Sequence, residues 1–185
     1  MFKKFTEDDV TNRTNIKASV QRGLRTRLIE QFPALDQNQL IDELLPKSSK
    51  QSVRLLKCRD GISLFALGPE LLFIQHFDEP LIPSLRLVHQ FPSMTKSVQM
   101  DHGAIKHILG GAHVMCPGLT NNFAKMEDKF KAGDVVAVYA NGKENALAIG
   151  IAKMSDDEIR TVNKGIAIEV VHVLGDGLWQ IAQFD

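Results

Sequence analysis

A chain of 185 residues in which 22 Lys and Arg balance 22 Asp and Glu, with 44% hydrophobic and 24% charged residues, has the composition of a folded protein of one large or two small domains. That composition excludes disorder over most of the length, and zero formal charge argues against coating naked nucleic acid through bulk electrostatics. Cys58 and Cys116 cannot make a disulfide framework, no apolar run reaches the roughly 20 residues of a membrane span, and the start, Met1 to Asp9, lacks the apolar stretch of a secretory leader.

Ile16, Val20, Leu24 and Leu28 recur every four residues and predict a helix with Thr14 or Asn15 as N-cap and a stop before Pro33. On its surface Arg22 and Arg25 are expected to project away from the apolar stripe, as a solvated basic face. A second helix fits Asp36 to Leu45, ended by Pro46. The texture then turns to β. Val53 to Cys58 and Ile62 to Leu67 flank an Asp60-Gly61 turn, and Glu70 to Phe77 follows Gly68-Pro69. Together these predict a three-stranded antiparallel meander against two helices, a small α+β domain. Ser84 to Gln90 reads as a further short helix with Ser84 as N-cap.

Past Pro92 the strands shorten and glycine punctuates them. Asp101 to Leu109 predicts a short helix capped by Asp101 and stopped by Gly110-Gly111. Ala104, Ile105, Ile108 and Leu109 share its inner face, with His102, Gly103 and Lys106 opposite. A strand is expected over Ala112 to Cys116, running into Pro117-Gly118. Asp134 to Tyr139 and Glu144 to Ile151 flank Asn141-Gly142, and Ser155 caps a helix from Asp156 to Val162. Ile166 to Val173 and Leu178 to Ala182 read as a last hairpin across Gly175-Asp176-Gly177, with Trp179 turned inward. Such strands suggest a small, closed or nearly closed β-barrel carrying two helices. Residues 1–90 carry a net charge of +2 and the remainder −2, so neither half is polybasic.

Chemistry is hard to find. No Cys-x-x-Cys or His-Glu-x-x-His is present, and His102 and His107 do not share a helix face, so surface histidines are favoured over a metal site. There is no nucleophile elbow, phosphate loop or dinucleotide motif, and Asp156, Asp157 and Glu158 are accounted for by a helix dipole. Neither a catalytic group nor a cofactor is expected. One position asks for a reason: Gly103 in the first turn of a helix costs about 1 kcal/mol against alanine. Close packing against a strand or close approach of a ligand would each explain it, and the residues alone favour packing slightly.

Asp101-His102-Gly103-Ala104, Gly111-Ala112 and Met115-Cys116-Pro117-Gly118-Leu119 resemble the signature of the PUA domain, a pseudo-barrel of RNA-modifying and translation-associated proteins. Met1 to Phe5, Leu28 to Pro33, Gly68 to Phe73, Pro83 to Leu87 and Gly175 to Trp179 further resemble the malignant T-cell-amplified sequence family. The resemblance implies an α+β domain over 1–92 and a PUA pseudo-β-barrel over 93–185. It implies a non-enzymatic cytoplasmic translation factor that, with a density-regulated-protein partner, binds ribosomal RNA of the small subunit, or tRNA. Re-initiation and post-termination release of tRNA are the implied roles. RNA is then expected against His102, Gly103, Lys106, Gly110, Gly111 and Ala112, which tips the reading of Gly103 toward a ligand. The alternative is an accessory or enzyme of tRNA or rRNA modification. Leu71 to Ile74 and Pro80 to Leu87 are candidates for an apolar partner surface, with core as the plainer reading of the strand, and Ser84 is weighed as a phosphosite against its N-cap role. Neutral charge predicts weak RNA binding by the isolated chain, with a shallow salt dependence.

Overall fold

A computed structural model describes residues 2–37, 39–46 and 52–184. Met1, Asn38 and Asp185, which fall inside expected motifs, helices or domain limits, lie outside the described residues. The chain begins with Phe2 and Phe5 packed edge to face, their centroids 5.5 Å apart, and then forms a strand, β1 (Val10–Asn15). This strand replaces the expected helix cap at Thr14 or Asn15. It pairs antiparallel with β2 (Val53–Cys58), and Ile16 extends the ladder by donating its N–H to the Val53 carbonyl at 2.9 Å. An edge strand exposed on both faces carries no alternation of polarity, so its sequence gives no strand signal.

Helix α1 therefore starts later, at Ala18, and runs to Gln31. A four-residue repeat drifts about 40° per step around a helix, so the expected stripe does not stay on one face. Leu24 and Leu28 are buried, whereas Val20 is 52% exposed and Ile16 lies outside the helix. Arg25 also departs from expectation. Its guanidinium turns inward, donating to the Ile41 carbonyl at 3.0 Å, to the Leu45 carbonyl, and to Asp42 at 2.6 Å. It thus satisfies carbonyls at the end of a neighbouring helix. That neighbour is the second of two short helices, α2 (Ala34–Gln37) and α3 (Leu40–Leu44), where one was expected; Gln39, at φ 56°, breaks them.

β3 (Ile62–Leu67), β4 (Glu70–His76) and a two-residue β5 (Ile82–Pro83) complete an antiparallel sheet in the order β1-β2-β3-β4-β5. The expected three-strand meander is its centre, and Asp60 and Gly61 adopt positive φ at the first turn as the Asp-Gly pair predicts. α4 (Leu85–Gln90) starts at Ser84, whose hydroxyl accepts the Leu87 N–H at 3.2 Å and donates to the Leu71 carbonyl at 2.8 Å. Ser84 is 2% exposed, so the N-cap is its role here. Leu71 to Ile74, Leu81, Ile82, Leu85 and Leu87 are buried. The proposed apolar partner surface is core.

The second sheet runs β6-β8-β9-β10-β7: β6 (Lys96–Met100), β7 (Val114–Met115), β8 (Val135–Ala140), β9 (Ala148–Ala152) and β10 (Ile166–Val173). β6 lies parallel to β8 and the other pairs are antiparallel, giving the pseudo-barrel after the α+β layer. Between β6 and β7 lies α5 (Ile105–Leu109), entered through a short 3-10 turn. The strand expected over Ala112 to Cys116 shrinks to β7, and Cys116 instead opens α6 (Cys116–Thr120), because Pro117 is preorganised for a first helical turn. α7 (Asp156–Val162) has the full capping box, Ser155 Oγ accepting the Glu158 N–H at 3.2 Å while Glu158 accepts the Ser155 N–H at 2.8 Å. The final hairpin is absent: Asp176 accepts the Trp179 N–H at 2.9 Å and opens a helix, α8 (Gly177–Gln180). Trp179 is half-buried rather than enclosed, with the Arg86 guanidinium 4.3 Å from its ring centroid.

Side chains of β8 alternate between two cores. Val136 and Val138 face the barrel interior with Ile108, Cys116 and Ile159, whereas Val135 and Ala137 join Ile149, Val171, Leu178 and Phe184 in one cluster with Leu64, Phe73 and Leu85 of the N-terminal layer. Gly177 tightens this junction, its N–H donating to the Phe2 carbonyl at 3.0 Å.

Candidate nucleic-acid interface

The turn around α5 is built by hydrogen bonds that leave its outer side bare. Asp101 accepts the Gly103 N–H at 3.2 Å, fixing the entry. At the exit, the N–H groups of Gly110, Gly111 and Ala112 donate to the carbonyls of Lys106, Ile108 and His107 at 3.1, 2.9 and 3.0 Å. Gly111 sits at φ 91°, a conformation that a side chain strains. Ile108 anchors the helix at 2% exposure.

His102, Gly103, Lys106, Gly110, Gly111 and Ala112 are all exposed on this turn. A Cβ on Gly103 would meet only the Asp101 carboxylate, at 3.0 Å, and one on Gly111 would meet nothing within 4 Å. Packing against a barrel strand therefore does not explain Gly103. Among the described residues no carboxylate pairs with Lys106. Leu109, expected to face inward, is 38% exposed because the helix ends there.

Several neighbours escaped the sequence reading. His113 Nδ1 accepts the Val170 N–H at 3.1 Å, which leaves the Nε2 side of its exposed ring outward. Met115 on β7 and Ile166 on β10 are register partners, 46% and 39% exposed, and extend the surface with apolar area. Only the alternation of Val114 with Met115 could have signalled this.

Other ionisable groups are tied into the structure. Lys129 bridges Asp156 and Asp157 at 2.8 and 3.0 Å, and these hydrogen bonds raise its pKa. The Lys129 contact holds the buried Asp156 carboxyl down at about 2 against the opposing effect of burial, with Arg160 and the Phe130 N–H assisting. Lys96 donates to the Lys129 carbonyl. The thiol of Cys116 is buried against Met154 and the Lys164 carbonyl. Burial, reinforced by Asp9, pushes Cys58 up to about 11. His172 and Asp176 form a buried pair, Nδ1 to Oδ2 2.8 Å, that holds the turn before α8. Among the described residues no group of three His, Cys, Asp or Glu is placed to hold a metal ion, and no helix is long and apolar enough to cross a membrane.

Comparison with known proteins identifies two domains. Residues 4–92 match the Pre-PUA-like domain and residues 96–174 the PUA domain. The chain is 49% identical over 184 residues to translation machinery-associated protein 20 of Saccharomyces cerevisiae, covering 98% of this chain and 99% of that protein. It is 43% identical over 185 residues to malignant T-cell-amplified sequence 1-A of Xenopus laevis, covering 100% and 99%. Among solved structures it is similar to a hypothetical protein of the archaeon Pyrococcus horikoshii, at 25% identity and TM-score 0.73 over 92% of this chain and 99% of that one.

Proposed function

This chain belongs to the family of Pre-PUA and PUA proteins that includes translation machinery-associated protein 20 and the malignant T-cell-amplified sequence proteins, and from that premise we propose that it is a non-enzymatic factor of translation acting on the small ribosomal subunit. A translation-related, RNA-binding role follows from the family. The finer reading adds cytoplasmic location, a density-regulated-protein-like partner, and action in re-initiation and post-termination tRNA release. Its working division falls between residues 92 and 93. RNA rests on the turn formed by His102, Gly103, Lys106, Gly110, Gly111 and Ala112.

The observation that carries this reading is the bare glycine turn beside Lys106, which no carboxylate pairs among the described residues, on a chain related along its whole length to translation-machinery proteins. Two glycines let a phosphate or ribose approach backbone, and Lys106 supplies local charge that the neutral whole lacks. RNA helices are read largely by backbone and shape, so no base-specific code is required. A partner that adds contacts raises avidity by about 10²–10⁴ through effective concentration.

Ribosome co-sedimentation with and without the partner tests the reading. Small-subunit association that strengthens with the partner, and crosslinks from the α5 turn to ribosomal RNA, are expected. No co-sedimentation in either condition, or turnover of an RNA substrate by the chain alone, overturns it.

A further inference from the structure

A cleft of about 690 Å³ opens between the end of α1 and the turn before β5 on one side and the segments leading into β6 and β8 on the other. Its charge is opposite to that of the α5 turn. Glu30, Asp78 and Glu79 border it from the N-terminal layer and Asp128 and Asp134 from the barrel, against Arg27 and Lys96. Lys96 is committed to the Lys129 carbonyl, and the nearby Lys153 is held by Glu169 at 2.9 Å. Asp128 accepts from the Ser97 N–H and hydroxyl, Asp134 from the Lys131 N–H, and Glu79 lies 3.3 Å from His76 Nδ1. Glu30 and Asp78 are exposed and have no hydrogen-bonded or ionic partner among the described residues.

A second, independent feature lies in the same wall. Thr95 is 9% exposed, and its Oγ1 is the buried side-chain polar atom that lacks a hydrogen-bond partner among the described residues. Buried hydroxyls are normally satisfied, so this one marks a place where a hydrogen-bond partner is missing.

We propose that this cleft receives an arginine- or lysine-rich segment of a protein partner. The carboxylates repel RNA, and they form no ligand group for a metal ion among the described residues. A guanidinium fits what is there. Its planar fork of donors suits the exposed Glu30 and Asp78 carboxylates and the unmatched Thr95 oxygen, while its aliphatic stem finds apolar area at Pro33 and Pro80. The cleft lies within the size range of sites that enclose a ligand group, and its charge steers a basic segment on approach. RNA and protein would then bind surfaces of opposite sign, and the proposal stands without the RNA reading.

The test is fluorescence anisotropy of the full chain with a fluorescein-labelled peptide of alternating arginine and glycine. Binding that weakens with salt is expected, with amide shifts at Met94 and Thr95 in an NMR titration and no binding of the glutamate counterpart. The exposed pair Glu30→Lys/Asp78→Lys should weaken binding about tenfold or more, with an unchanged fold by circular dichroism. Thr95→Val should weaken it less without lowering the melting temperature. Full affinity in the double variant, or amide shifts mapping away from the cleft, overturns the proposal. Lys106→Ala should keep peptide affinity, so loss of RNA binding and loss of peptide binding are separable failures.

Discussion

Gly177→Ala puts helix propensity and packing in direct opposition. Alanine favours a helix by up to about 1 kcal/mol over glycine, and Gly177 opens α8 without a positive φ, so propensity predicts stabilisation. The packing predicts the reverse. A methyl group there would overlap the Phe5 carbonyl oxygen and stand 2.8 Å from the Phe5 nitrogen and 2.9 Å from the Phe2 oxygen. These are backbone atoms, which cannot rotate aside, so the N-terminal segment must leave its seat. Phe2 and Phe5 are 1% and 8% exposed, and each buried phenylalanine contributes about 1.5–3 kcal/mol. Expelling both costs about 3–6 kcal/mol, an upper range because the unfolded chain is not fully extended. Urea unfolding followed by the fluorescence of Trp179 reads the loss, and faster tryptic cleavage at Lys3 and Lys4 reads the release. A variant within about 0.5 kcal/mol of the parent, or one more stable, refutes the argument.

Gly103→Leu should leave the melting temperature unchanged, since only the Asp101 carboxylate lies near, while reducing RNA crosslinking at the turn; a loss of stability instead would return that glycine to a packing role. Lys106→Ala should lower the slope of log affinity against log salt by about 0.7–0.9, one phosphate contact, as measured by filter binding with RNA. Asp156 titrates at about 2 when folded, below its ordinary 3.8, so its stabilisation is complete above about pH 4 and is lost as pH falls toward 2. Thermal melts from pH 2 to 6 should therefore show an acid limb that Asp156→Asn flattens, and an identical limb in that variant counts against the Lys129 and Arg160 contacts. Cys58, raised to about 11 by burial and Asp9, should resist iodoacetamide at pH 8 in the folded protein and react promptly in urea, as mass spectrometry of the alkylated chain would show.

Much of the fold was legible where a local signal and the tertiary outcome agree. Asp60-Gly61 and the Ser84 and Ser155 caps act at the positions their chemistry indicates, whereas Asn141-Gly142 opens a longer connection, since β9 starts at Ala148 and not at the expected Glu144. The failures have physical causes. β1 is exposed on both faces and lacks periodicity, while Arg25 carries the charge of a surface residue but spends it on backbone carbonyls. Gly175-Asp176-Gly177 looks like a hairpin turn, yet the Asp176 side chain captures the Trp179 N–H and winds a helix. The six residues assigned to RNA came from resemblance, and the exposed turn on which they lie could be inferred from helix phase. Of their neighbours, only Met115 left a trace, in its alternation with the buried Val114; the place of His113 and Ile166 depends on the pairing of β7 with β10. The acidic cleft was equally hidden, being assembled from segments about 100 residues apart in sequence.

The alternation of β8 between two cores makes that strand a party wall. Residues 93–185 made alone would turn Val135, Ala137, Ile149, Val171, Leu178 and Phe184 toward water, a continuous oily face of the kind that drives self-association. The PUA module is in this respect unlike a bead on a string, and transplanting it would carry half a core with it. The same wall denies the molecule a cheap hinge, since any swing of one half strips apolar side chains from the other. What the fold provides is then a fixed bearing, with one surface aimed at a set angle to another, in the way a set square transfers an angle and a tether cannot.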